Sequence, residues 1–243
     1  MIRKKFLLNQ RRMSYKSLND RRRQAALGPI LENFNQLPGL LFSIAIPKST
    51  PTIFAKGPTE HLASDPAFDG WRPGPIERAM RIVHFASTLV RGLSCAGQDV
   101  WWFTDQDEIA ANDDRLGLFV TLFATIASHY LPHTLRHLRI STTRSDTGRR
   151  DIEDLVSVAD LAAGALQEAL DGGNAGLLVE NPSIFLPSGQ PLSRKARHIM
   201  DWFADNTRPL RRLTLVIDAP LVDGLRVTAL RFHGSRDVDI REP

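Results

Sequence analysis

The densest chemistry in the sequence lies in the run DVWWFTDQDEIAANDD, residues 99–114. It holds Asp99, Asp105, Asp107, Glu108, Asp113 and Asp114 and no basic residue. Clustered carboxylates ligate Mg²⁺ or Mn²⁺ through oxygen and leave positions for water and phosphate. DVWWF reads as a short strand, so Asp105 falls just past a strand end, where open α/β sheets bind their ligands. A structural reading competes: Thr104 as a helix N-cap, with Asp107 or Glu108 complementing the dipole in the first turn.

A second acidic position lies in IEDLVSVADLAAGALQEAL, residues 152–170, which reads as a helix closed by Gly172-Gly173. Leu155, Val158, Ala159, Ala162, Leu166 and Leu170 form its expected apolar face. Asp160 flanks that face, and Ala163 and Gly164 leave room for another backbone to approach. Asp160 therefore reads either as a metal ligand or as the acceptor of a hydrogen bond from a neighbouring loop. Glu153 and Asp154 suit the dipole at the start of the same helix.

Charge is distributed unevenly. Residues 1–24 carry nine basic residues against one acid, Asp20, a net +8 within an overall formal charge of +4. A basic arm on a mildly acidic body suits a polyanionic partner such as nucleic acid; the plain alternative is a solvated, frayed terminus. One cysteine, Cys95, excludes an internal disulfide and a cysteine-rich zinc site. The expected address is therefore a reducing cytoplasm. No apolar run approaches the ~20 residues of a membrane span, so no membrane partner is expected.

The elements that must position these residues follow from periodicity. A short helix is expected over residues 24–37, interrupted near Gly28-Pro29, then a buried strand at 40–46. The Pro-rich stretch 47–75 reads as a long loop. Helices at 76–90, 115–130 and 152–170 alternate with strands at 99–103 and 135–141, the pattern of a parallel sheet covered by helices. A helix at 193–205 precedes RLTLVIDA and LRVTALRF, which the Asp-Gly of PLVDG joins as an antiparallel hairpin. The expected fold is α/β with a mixed sheet. Its divisions are a basic arm at 1–24, a core at 25–180, and a C-terminal helix and hairpin extension at 181–243.

Other groups carry weaker signals. His129, His133 and His137 have helical spacing, but Pro132 breaks the helix that would align them, so bonds to helix-end carbonyls are the better reading. Trp101 and Trp102 could stack bases, although adjacent strand residues more naturally fill core on both faces. Ser193-Arg194-Lys195-Ala196-Arg197-His198 offers cations for phosphate or a solvated helix face. GxGxxG, P-loop, GxSxG and HExxH motifs are absent, which removes support for nucleotide-cofactor, NTPase, hydrolase-elbow and zincin readings.

The segments TDQDEIAAND, LRISTTRSDTG and EDLVSVADLAAGAL resemble the domain-of-unknown-function 3800 family. The resemblance covers residues 99–170, most specifically at Ala159-Asp160-Leu161, and more loosely YKSLNDRRRQ at 15–24 and the IPKS that ends the first strand. That family is regarded as having a ribonuclease H-like fold with acidic motifs suggestive of a metal-dependent nuclease. The resemblance implies Asp105 and Asp160 as ligands of Mg²⁺ or Mn²⁺, and Lys16 and Lys48 as basic positions. Asp107 or Glu108 would assist or orient water, and Arg21 and Arg22 would join the two lysines on nucleic acid. The family's opening Asp-Glu-Ser-Gly-like strand has no counterpart before Lys16. The expectation is that the chain begins inside the family domain or takes its first acid from elsewhere. Two functions follow: a Mg²⁺-dependent nuclease acting on nucleic acid, or a catalytically inactive module of the same fold that binds nucleic acid or a protein.

Overall fold

The computed structural model describes residues 2–7, 12–50, 52–54, 65–105, 112–143, 150–171, 183–185, 192–205, 207–218 and 224–233. The chain divides into two compact units, Met1–Thr50 with Glu153–Pro243, and Pro51–Ile152.

In the first unit, helix α1 (Arg21–Asn35) starts where Asp20 accepts hydrogen bonds from the backbone N–H groups of Arg22 and Arg23. It runs unbroken through Pro29, against the interruption expected there. The proline removes one intrahelical bond, but Ala26, Leu27, Ile30 and Leu31 bury on either side of it and hold the helix together. Strand β1 (Gly39–Ala45) follows and pairs in parallel with β5 (Leu210–Asp218). β5 pairs antiparallel with β6 (Arg226–His233), and β6 pairs in parallel with β4 (Ser183–Phe185). The order β1-β5-β6-β4 is a mixed sheet. The expected hairpin is therefore present, with Gly224 at φ +75° at its turn. It is no appendage, however: its strands are the middle of the sheet, because β1 from the far N-terminal part docks on one of them.

Where it is described, at residues 2–7 and 12–24, the basic N-terminal segment is folded rather than frayed. Arg3–Leu7 makes a short wide helical turn and Tyr15–Ser17 a 3₁₀ turn. Leu7, Met13 and Leu18 are fully buried in one core with α1, α4 (Arg150–Asp171) and α5 (Arg194–Ala204). Arg3 is also unavailable to a ligand, since its guanidinium pairs with Glu153 and Asp154 at 2.9 Å.

The second unit holds α2 (Pro73–Leu93), β2 (Asp99–Asp105), α3 (Asp113–Tyr130) and β3 (His137–Thr143), with β2 and β3 paired in parallel. The expected long loop ends early: Asp65 caps a turn at Pro66–Phe68, and Pro73 and Pro75 open α2, positions where a missing N–H costs nothing. Phe68 packs with Ile76 and Met80. The central core joins Ala79 and Val83 of α2, Phe119, Phe123 and Ala127 of α3, and Trp102, Leu138 and Ile140 of the strands. Asn112 rather than Thr104 caps α3, with Asp113 and Asp114 in the first turn. Among the described residues no helix is long and apolar enough to cross a membrane.

Phe123 is fully buried, with its ring centroid 4.7 Å from that of Trp102. Phe123→Ala is expected to destabilise the second unit by about 3–5 kcal/mol. Urea denaturation followed by near-ultraviolet circular dichroism would measure the effect; a change below ~1 kcal/mol would contradict this core.

Candidate nucleic-acid interface

Tyr15 organises the charged end of the first unit. Its backbone N–H donates to Asp160 at 2.7 Å, and its carbonyl accepts from the Lys195 ammonium at 3.3 Å. Its ring lies beneath the same ammonium, 4.4 Å from the ring centre, a cation–π contact. The ring also covers Gly164, where a Cβ would overlap it. The small residue on α4 thus admits a side chain, not the backbone expected. The hydroxyl donates to Glu168 at 2.5 Å, and Glu168 also accepts from the backbone N–H and the hydroxyl of Ser193 at 2.5 and 3.0 Å. Burial, and then the bond to Glu168, push the Tyr15 phenol up to about 12. Burial by itself would raise Glu168, but the bonds from Tyr15 and Ser193 outweigh it and hold the carboxyl below its usual range.

Ser193 is also the N-cap of α5, accepting from the Ala196 N–H. Helices α1 and α5 run parallel. Gly28 faces the His198 ring, and four residues along α5 the Trp202 indole donates to the Leu31 carbonyl at 3.1 Å, three residues along α1. At 1.5 Å per residue both N-termini come to the same end, offset by roughly 5 Å. Each N-terminus carries a partial positive charge, and neither helix has an acid in its first turn. Arg21, Arg22 and Arg23 begin α1, Arg194, Lys195 and Arg197 begin α5, and Lys16 lies on the turn between them. Lys16, Arg21, Arg22 and Arg194 are exposed and make no ion pair among the described residues. Nearby acids are engaged: Asp20 caps α1, Asp160 holds Tyr15, and Glu168 holds Tyr15 and Ser193.

The acidic positions have separate fates. Asp105 ends β2, half-buried, in register with Thr143, and belongs to the second unit. Asp160 is exposed on α4 in the first unit, where it accepts the Tyr15 N–H, the hydrogen-bond role open to it from the sequence. Asp107 and Glu108 lie outside the described residues. Asp99 pairs with the guanidinium of Arg136 and with His137 Nδ1 at 2.9 Å, and these partners hold its carboxyl well below the usual range. Glu153 and Asp154 bind Arg3. Among the described residues no group of three or more His, Cys, Asp or Glu is placed to hold a metal ion.

The basic positions Lys16, Arg21 and Arg22 come together, while Lys48 is exposed in the turn after β1. The histidines go separate ways: His129 Nδ1 to the Thr125 carbonyl at 2.8 Å, His133 Nε2 to Ser94 Oγ at 3.1 Å, and His137 to Asp99. Tyr15 carries no site signal of its own in the sequence; Gly164 inside a helix and Asp160 as an acceptor for a neighbouring loop are the features that point toward it.

Neither a family model, nor a curated protein, nor a solved structure matches this chain.

Gly164→Ala forces a Cβ into the Tyr15 ring, and overpacking of this kind costs about 1–3 kcal/mol. The expected signature is coupling: in a Tyr15→Ala background the same substitution should cost little. A double-mutant cycle by urea denaturation checks this, and additive effects would show that the ring does not sit over Gly164.

Proposed function

We propose that this protein binds nucleic acid through the cationic end of the α1–α5 helix pair. The observation that carries the reading is the meeting of two parallel helix N-termini, both opened by basic residues, with Lys16 between them. Basic side chains in a first turn oppose the dipole and weaken the helix. Lys195 is engaged by the Tyr15 carbonyl and ring, but Arg21, Arg22 and Arg194 at the same helix starts cost stability, whereas a phosphate backbone would neutralise side chains and dipoles together. A mixed α/β sheet with flanking helices supports a ribonuclease H-like class at the level of architecture, and the single cysteine suits a reducing cytoplasm.

The test is the salt dependence of duplex binding. Lys16→Gln, Arg21→Gln, Arg22→Gln and Arg194→Gln together should weaken binding and reduce the slope of log K against log salt by about 0.9 for each phosphate that is no longer neutralised. Deleting the N-terminal segment would be a poorer test, since it removes Leu7 from the core. Unchanged affinity and slope would reject this surface.

A second reading keeps metal-dependent phosphodiester cleavage. Asp105 favours it, standing at the C-terminal end of a parallel strand, where α/β sheets place ligands. Asp105 would be a ligand of Mg²⁺ or Mn²⁺ on the second unit, with Asp107 and Glu108, next to it in sequence, assisting. A bound ion would supply charge neutralisation at phosphate. Titration with Mn²⁺ and Mg²⁺ against single-stranded, duplex and hybrid substrates tests it. Cleavage abolished by Asp105→Asn is the expected result under this reading. No cleavage with any substrate would leave binding as the function.

A further inference from the structure

The two-residue repeat of a strand sends alternate side chains to opposite faces. On β2 and β3 the inner face carries Trp102, Leu138 and Ile140, with the Trp102 ring centroid 5.2 Å from Phe119 and 4.7 Å from Phe123. The other face carries Trp101, Phe103, Arg139 and Ser141. Trp101 lies in the middle of β2 and is 58% exposed. Its ring centroid is 6.3 Å from that of Phe103, and the Arg139 guanidinium, directly opposite in register, lies 5.8 Å from its ring centre.

We propose that this face is a stacking surface for the bases of single-stranded nucleic acid. Trp101 and Phe103 would take successive bases, and Arg139 would take the phosphate beside them. The ligand class rests on the nucleic-acid reading above, but the residues belong wholly to the second unit.

Three observations select this occupant. First, the aliphatic side chains Leu138 and Ile140 face inward, so the other face carries rings, a guanidinium and a hydroxyl between Asp99 and Asp105 at the two ends of β2, and its centre is a set that stacks and pairs with nucleotides rather than with an apolar protein surface. Second, the charge is arranged for a phosphate: Asp99 is held by Arg136 and His137, while Arg139 makes no ion pair among the described residues. Third, ring-bearing residues two apart in a strand are separated by roughly 6.6 Å, about twice the step between stacked bases, so they meet successive bases only of an unstacked, extended single strand. Duplex DNA keeps its bases inside the helix, so the surface selects single strands.

The experiment uses the full chain with three probes: a thymidine oligonucleotide, a duplex of equal length, and heparin, a polyanion without bases. The oligonucleotide is expected to quench tryptophan emission. Trp101→Ala should weaken its binding at least about tenfold, leaving heparin binding and the salt slope unchanged. Trp101→Phe keeps a ring and should restore most of the affinity while removing the quenching signal, which separates stacking from any effect on folding. Oligonucleotide affinity unchanged in Trp101→Ala would overturn the proposal, as would an equal weakening for heparin. Binding of duplex and heparin without quenching by the oligonucleotide would also overturn it, yet leave the helix-end surface standing. Binding of none of the three probes would reject both.

Discussion

The seat of Tyr15 over Gly164 is the interaction on which the charged end of the first unit depends. Every part of the residue is engaged: its N–H by Asp160, its carbonyl and ring by Lys195, its hydroxyl by Glu168. Removing one partner of such a set leaves a half-buried polar group unsatisfied, at a cost of about 1–3 kcal/mol. The absence of a Cβ at residue 164 is what lets the ring come down onto α4. From that seat the chain runs directly into the Asp20 cap of α1, while Glu168 fastens the Ser193 cap of α5. One tyrosine thus ties together the starts of two helices.

Bringing those two starts together is electrostatically unfavourable by itself. Each helix N-terminus resembles half a positive charge, and arginines and lysines add whole ones. The fold tolerates this because carboxylates sit among the cations: Asp20 and Glu168 satisfy backbone and hydroxyl donors, and Asp160 anchors the connecting turn. These acids offset part of the charge and leave Lys16, Arg21, Arg22 and Arg194 exposed. Asp160 therefore has a role in the fold whether or not it also meets a metal ion.

The second unit is arranged in the opposite way. Adjacent tryptophans on β2 part company, Trp102 into a core of α2 and α3 and Trp101 to the exposed side. A strand in a sheet covered on both faces would bury both. Here the strand pair buries one face against helices and leaves rings, a guanidinium, a hydroxyl and two carboxylates on the other, which is why that face is not part of the core.

Much of this was legible along the chain. Helical and strand periodicity located α2 to α5 and the β5–β6 hairpin within a few residues, because local side-chain spacing dictates which face buries. The concentration of positive charge before residue 24 was equally plain. Tertiary packing decided the rest. Residues 39–45 and 210–216 pair as neighbouring strands although most of the chain separates them, so a hairpin read as an extension became the centre of a sheet. Pro29 stays inside a helix because burial on both sides outweighs one missing hydrogen bond. Tyr15 and Glu168 are 153 residues apart, and nothing local in either links them. Periodicity reports the face a residue buries; the partner it meets there is set by long-range packing, and in this protein the candidate sites are made by such partners.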